Sequence, residues 1–216
     1  HALHHAIQYS YSVAPHAWVH EASATYAQYL IYSDSVGVIA ALQLLWGLRI
    51  DDPGLGLDTT GDRQEYAGLI WVKFLVDRAG GDLSVFRLWW EILAEDPDWE
   101  LSIETLAEEL GDDDACALFA EYGEWLYFAC ARDDGDHWLA GDLDCVLDIE
   151  AGLAASEVEV PGSWSLDPPE PYGFALSAAT IPAGETPLTV DARSAGGTAW
   201  AMRAVPLDDG VGLDGV

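Results

Sequence analysis

The first 32 residues, "HALHHAIQYSYSVAPHAWVHEASATYAQYLIY", contain five of the six histidines of the chain. Apolar and aromatic residues recur at helical spacing over 1–10 and again over 17–32, and Pro15 stands between the two runs. This pattern predicts two helices joined by a short turn, which would bring the helices side by side.

The helical pattern continues to about residue 132. Further helices are predicted over 36–48, 63–81, 82–96, 102–111 and 113–133. After about residue 140, short apolar runs alternate with Pro and Gly clusters, which is typical of short strands. The sequence therefore predicts a mainly α fold, with a helical domain over 1–140 and a small β-rich C-terminal domain, complete or incomplete, over 141–216.

Local signals add detail to the predicted helices. The run over 36–48 is apolar all round, which predicts a buried helix that Ser35 can cap. Ser102 is a candidate cap for the helix over 102–111, and Gly80 with Gly81 is expected to close the helix over 63–81.

The composition excludes some classes of partner. The chain has 38 acidic and 8 basic residues, a formal net charge of −30, and half of its residues are hydrophobic. Because phosphate contacts need basic side chains, nucleic acid is excluded as a partner. No apolar run is long enough to span a bilayer, so membrane insertion is not expected. The sequence leaves the oligomeric state open.

Two histidines in the first predicted helix have the spacing of a metal site. His1 and His5 are four residues apart, so both imidazoles project from one helical face and can reach one zinc ion. Glu21 on the next helix is the candidate third ligand. Two His, one Glu and an open position form a catalytic Zn²⁺ set.

Other interpretations of these residues remain open. Two histidines at this spacing also occur by chance, and a glutamate on a helix is usually a solvated charge, so a metal-free helical domain is one alternative. His4 could replace His5 as a ligand, three residues after His1. A free amine on His1, together with its imidazole, would also suit copper.

The quoted stretch resembles the gluzincin zinc metallopeptidases, in which a His-Glu-x-x-His helix is followed by a helix that supplies a Glu ligand. It is similar to a group of bacterial peptidases with His-Glu-Phe-x-His-x-x-Gln and then Trp-x-x-Glu-x-x-Ala-Thr. The motif residues match at His1, His5, Gln8 and Glu21. The positions around the glutamate also match, at Trp18, Ala24 and Thr25. The resemblance implies a zincin-like catalytic subdomain whose N-terminal strands would precede His1, a peptide or protein substrate, and a secreted or cell-envelope location.

Ala2 departs from this motif. The family's glutamate at this place acts as general base toward the attacking water, and it is not a metal ligand. With Ala2 the chain lacks this general base, whose contribution to the rate is about 10²–10⁴-fold. The metal ligands are unaffected, because the glutamate is not one of them. The residue is compatible with a natural pseudopeptidase that binds peptides and with a substituted enzyme. Tyr66 is the candidate for stabilising the oxyanion, and a core tyrosine is its alternative.

The remaining polar clusters carry weaker signals. His16 and His20 are expected in a loop or on a helix surface, although His20 could line the cleft beside Glu21. Acidic residues around His137 suggest a calcium loop, but their spacing misses the EF-hand pattern; they are Asp133, Asp134 and Asp136. Asp58 and Asp62 are expected to be solvated turn residues.

Overall fold

The computed structural model describes residues 1–32, 35–52, 54–112, 114–129 and 134–139, and the short pieces 156–158, 173, 175 and 177–179. The helices of this part are α1 (Ala2–Tyr11), α2 (Ala17–Tyr32), α3 (Val36–Asp51), α4 (Gln64–Ala67), α5 (Leu69–Arg78), α6 (Ser84–Glu95), α7 (Trp99–Leu110) and α8 (Ala115–Tyr127). The predicted mainly helical character is confirmed.

Two short strands occur in the C-terminal part. β1 (Ser156–Val158) pairs in parallel with β2 (Ser177–Ala179), and Ser156 lies opposite Ser177. Most of 141–216, and the predicted boundary near residue 140, lie outside the described residues. The β-rich domain therefore stays a prediction.

Helix α2 is at the centre of the helical assembly, where it packs against α1, α3, α4 and α5. Its core-facing side chains are fully buried or nearly so, because aromatic and small apolar residues recur at helical spacing. They are Trp18, Val19, Ala22, Tyr26 and Tyr29. The ligand candidate Glu21 thus lies on the best-packed helix of the first part of the chain.

The predicted continuous helix over 63–81 is wrong at one point, since α4 and α5 meet at Gly68. A Cβ atom on Gly68 would lie 3.0 Å from Ala22 Cβ and 3.1 Å from Trp18 Cε3. Glycine therefore allows this segment to lie directly against α2. At the other end, Gly80 and Gly81 have positive φ angles and close α5 as predicted.

Two predicted caps differ in the structure. Ser35 stands at the N-cap of α3, but its side chain makes no capping hydrogen bond. Helix α7 begins at Trp99, because the Asp98 carboxylate accepts the Glu100 and Leu101 N–H groups. Ser102 is therefore inside α7, where it is buried and accepts a hydrogen bond from Trp89 Nε1 at 2.9 Å.

Helix α3 is less buried than its apolar sequence predicts. Leu45 is buried, but Val36 is 82% exposed and Leu44 is 48% exposed. The helix packs against α2 and α4, so part of its surface faces outward. None of the helices among the described residues combines the length and apolar character needed to cross a bilayer.

The single lysine of the chain is part of the core. Lys73 is 1% exposed, and its Nζ donates to Asp77 Oδ2 at 2.6 Å. The same carboxylate oxygen accepts the Leu139 N–H at 3.2 Å, which ties 134–139 to α5. Lys73 is thus a structural cation with no access to an external phosphate.

Candidate metal centre

Three predicted ligand atoms meet where α1 packs against α2. His1 Nε2 lies 3.0 Å from His5 Nε2 and 3.1 Å from Glu21 Oε2. His5 Nε2 lies 3.6 Å from the same carboxylate oxygen. All three side chains are partly buried. Among the described residues, these form the group of His, Cys, Asp or Glu side chains that could hold a metal ion.

The separations fit a small tetrahedral cation. Ligand atoms about 2.0–2.1 Å from a zinc ion stand about 3.3 Å apart, and the three separations in the cluster lie on both sides of that value. Imidazole lone pairs and a carboxylate at this distance repel one another unless a proton or a cation lies between them. The donor set, two nitrogens and one oxygen, suits Zn²⁺.

Gln8 connects the ligand helices. It is 1% exposed, and its Nε2 donates to the backbone carbonyl of His20 at 2.9 Å. Its Oε1 lies 2.7 Å from His5 Nδ1 and 3.3 Å from His20 Nδ1. Sequence reasoning assigned Gln8 no role beyond its match to the motif. Its position three residues after His5, on the same helical face, is the signal that could have indicated one.

Comparisons of the chain with protein-family models, with curated proteins and with solved structures found no match. The relationship to the gluzincins therefore rests on the residues quoted above and stays a prediction. The geometry of the cluster stands independently of that relationship.

Ala2 is the first residue of α1 and is exposed. It follows His1 directly, so it lies beside the cluster, about 100° around the helix from its neighbour. A methyl group cannot accept a proton. Position 2 therefore contributes no acid–base group to the site.

Tyr66 lies at the edge of the cluster. It is in the short helix α4, and its ring stacks on the His1 ring with centroids 6.0 Å apart. The negative charge of Glu21 raises the pKa of Tyr66, with smaller contributions from burial and from the charge of Glu65. The structure thus brings Tyr66 to the edge of the predicted site, where its ring lies against that of a candidate ligand histidine.

His4 faces away from the cluster. Its ring stacks on Phe86 with centroids 5.6 Å apart, and its Nε2 is buried without a hydrogen-bond partner among the described residues. Burial, with the nearby His5, lowers the pKa of His4 to about 4. His4 is therefore a neutral packing residue, and the structure favours His5 over His4 as the ligand.

His20 is not on the surface, contrary to one sequence-based expectation. It is 9% exposed, and its ring lies 5.4 Å from the Trp90 ring of α6, which covers it. Burial lowers the pKa of His20. His20 is thus part of the layer behind the cluster, while His16 is exposed as expected.

The acidic loop near residue 134 has local hydrogen bonds instead of a metal geometry. Asp134 Oδ1 accepts the Asp136 and His137 N–H groups at 3.0 and 3.3 Å, and Asp134 Oδ2 lies 2.8 Å from His137 Nδ1. Asp133 lies outside the described residues. Asp58 and Asp62 are exposed, as predicted for turn residues.

Proposed function

We propose that this chain is a gluzincin-like metallopeptidase domain that binds one Zn²⁺ through His1, His5 and Glu21. Its reaction is the hydrolysis of peptide bonds, and with Ala2 in place of the general base this form is inactive or severely impaired. Its partner is a peptide or protein. The chain binds no nucleic acid and does not insert into a membrane. By resemblance, its location is secreted or cell-envelope.

One observation carries the proposal: three ligand atoms from two helices converge within 3.0–3.6 Å of one another. The His spacing alone is weak support, because it requires only one helix. The carboxylate of Glu21 comes from a different helix, so its arrival at both imidazoles depends on the packing of α1 against α2. That coincidence favours a metal site over incidental histidines.

Each residue has a separate role in the proposed reaction. His1, His5 and Glu21 would hold the zinc ion, which would supply Lewis-acid polarisation of the scissile carbonyl. Tyr66 would donate a hydrogen bond to the oxygen on which negative charge develops. The proton of the attacking water needs an acceptor at position 2, and Ala2 supplies none.

Ala2 also favours a second function, a pseudopeptidase that binds peptides. A protein that keeps the ligands and loses the base retains a metal that can bind a substrate carbonyl or carboxylate. The peptide-binding protein and the peptidase would have the same metal content. They differ in whether a carboxylate restored at position 2 produces catalysis.

The Ala2→Glu variant separates the two functions, and Ala2→Gln is its matched control because it adds the same bulk without a basic carboxylate. We expect Ala2→Glu to cleave members of a broad peptide library, to lose activity with a chelator, and to bind zinc as the parent does. Ala2→Gln should cleave nothing. If Ala2→Glu binds zinc and leaves the library intact, the peptide-binding function replaces the peptidase.

A further inference from the structure

The Gln8 side chain is a buried polar group between the two ligand helices. Its amide nitrogen donates to the His20 carbonyl of α2, and its amide oxygen faces the His5 ring of α1. A buried amide with both ends hydrogen-bonded has one favourable orientation. The Gln8 side chain is therefore held between two groups: the backbone carbonyl of His20, the residue before Glu21, and the ring of the candidate ligand His5.

These bonds determine which His5 nitrogen carries the proton. A backbone carbonyl can only accept, so the group facing the His20 carbonyl must be the Gln8 NH₂. The Gln8 oxygen then faces His5 Nδ1 at 2.7 Å, and Nδ1 must be the donor. In a neutral His5 ring, the lone pair is consequently on Nε2, the atom that lies near His1 and Glu21.

We propose that Gln8 is a positioning residue for the metal site: it holds the His5 ring with Nε2 directed at the cluster and fixes α1 against α2. This inference rests on the proposed zinc site for its effect on metal affinity. The assignment of the His5 proton does not, because it follows from the hydrogen bonds of the metal-free protein.

Two variants separate the functions of the Gln8 amide. Gln8→Met has similar volume and removes the amide's hydrogen bonds with His5 and with His20. Gln8→Glu keeps an oxygen for His5 Nδ1–H but places the other oxygen against the His20 carbonyl, where two acceptors repel. Ser102→Ala is the control, because it removes a different buried hydrogen bond, the one from Trp89 in the α6–α7 contact.

The first measurement is the His5 tautomer in zinc-free protein, read from long-range ¹H–¹⁵N NMR correlations. We expect the Nδ1–H form in the parent, in Gln8→Glu and in Ser102→Ala, and a mixture or the Nε2–H form in Gln8→Met. This readout needs no metal, so it tests Gln8 even if the protein binds no zinc.

The second measurement is zinc affinity by competition with a chromophoric chelator. Loss of the partner of a ligand histidine weakens metal binding by about 10–100-fold, which is the loss we expect for Gln8→Met. Gln8→Glu should restore most of the affinity although its melting temperature falls. Ser102→Ala should lose stability and keep the parent affinity.

An Nε2–H tautomer of His5 in the parent would overturn the inference, and so would a Gln8→Met protein with unchanged tautomer and affinity. If Gln8→Met does not fold, the His5 tautomer of the parent and the zinc affinity of Gln8→Glu test whether Gln8 positions His5. A parent that shows the Nδ1–H form and binds no zinc would refute the proposed metal site while leaving the positioning of His5 intact.

Discussion

His1 and Glu21 are twenty residues apart in the chain, and their side chains meet with Nε2 and Oε2 3.1 Å apart. The contact joins the residue at the start of α1 to the second turn of α2. A metal ion bound there would hold the two helices together. Metal binding and the packing of α1 are therefore coupled, and zinc should stabilise the folded chain.

Tyr66 provides a test of the catalytic arrangement. In the Ala2→Glu background, Tyr66→Phe should lower kcat by about 10²–10³, because a donor to the developing oxyanion is lost. Zinc affinity should stay at the parent value, since the hydroxyl is not in the predicted ligand set. Steady-state kinetics on a peptide cleaved by Ala2→Glu provides the measurement. An unchanged kcat would limit Tyr66 to packing against His1.

Gly68 is expected to be intolerant of a side chain. The Cβ of Gly68→Ala would press on Ala22 and Trp18, which are buried and cannot withdraw. We expect a loss of about 1–3 kcal/mol in the free energy of unfolding, measured with denaturant. Gly37→Ala is the control, because its new Cβ would meet no described atom within 4 Å apart from its chain neighbours and the backbone of its own helix. That variant should be neutral or more stable by up to about 1 kcal/mol.

His4 should make stability depend on pH. Burial lowers the pKa of His4 in the folded chain to about 4, from an ordinary value of 6.5, so between these pH values the unfolded chain takes up a proton that the folded chain does not. The stabilisation is complete above about pH 6.5 and is lost as the pH falls toward about 4. In the His4→Leu variant, the free energy of unfolding should depend less on pH over this range. Denaturant unfolding of zinc-free parent and variant at about pH 7.5 and about pH 5 gives the difference, and parallel pH profiles would contradict it.

Much of the helical part was predictable because its determinants are local. Apolar residues at helical spacing identify α1 and α2, and Pro15 marks the turn between them. The one-turn spacing of His1 and His5 places both rings on one face without any tertiary information. Glu21 could be named because a short turn between two helices leaves few ways to pack them.

The features that the sequence did not predict depend on distant contacts. His20 is buried because Trp90, seventy residues later, covers it. The break at Gly68 follows from its closeness to Trp18, fifty residues earlier. The hydrogen bond from Gln8 to the His20 carbonyl likewise requires the final position of α2. Periodicity within one helix contains none of this information.

The zinc content of the purified protein is the most direct test of the metal centre. After zinc loading and dialysis, elemental analysis of the parent should find one zinc per chain, together with a higher melting temperature than in the chelator-treated protein. His5→Ala and Glu21→Ala should lose both effects, while His16→Ala, which changes an exposed histidine, should keep them. A parent without zinc, or a Glu21→Ala protein that retains the full zinc content and stabilisation, would contradict the site formed by His1, His5 and Glu21.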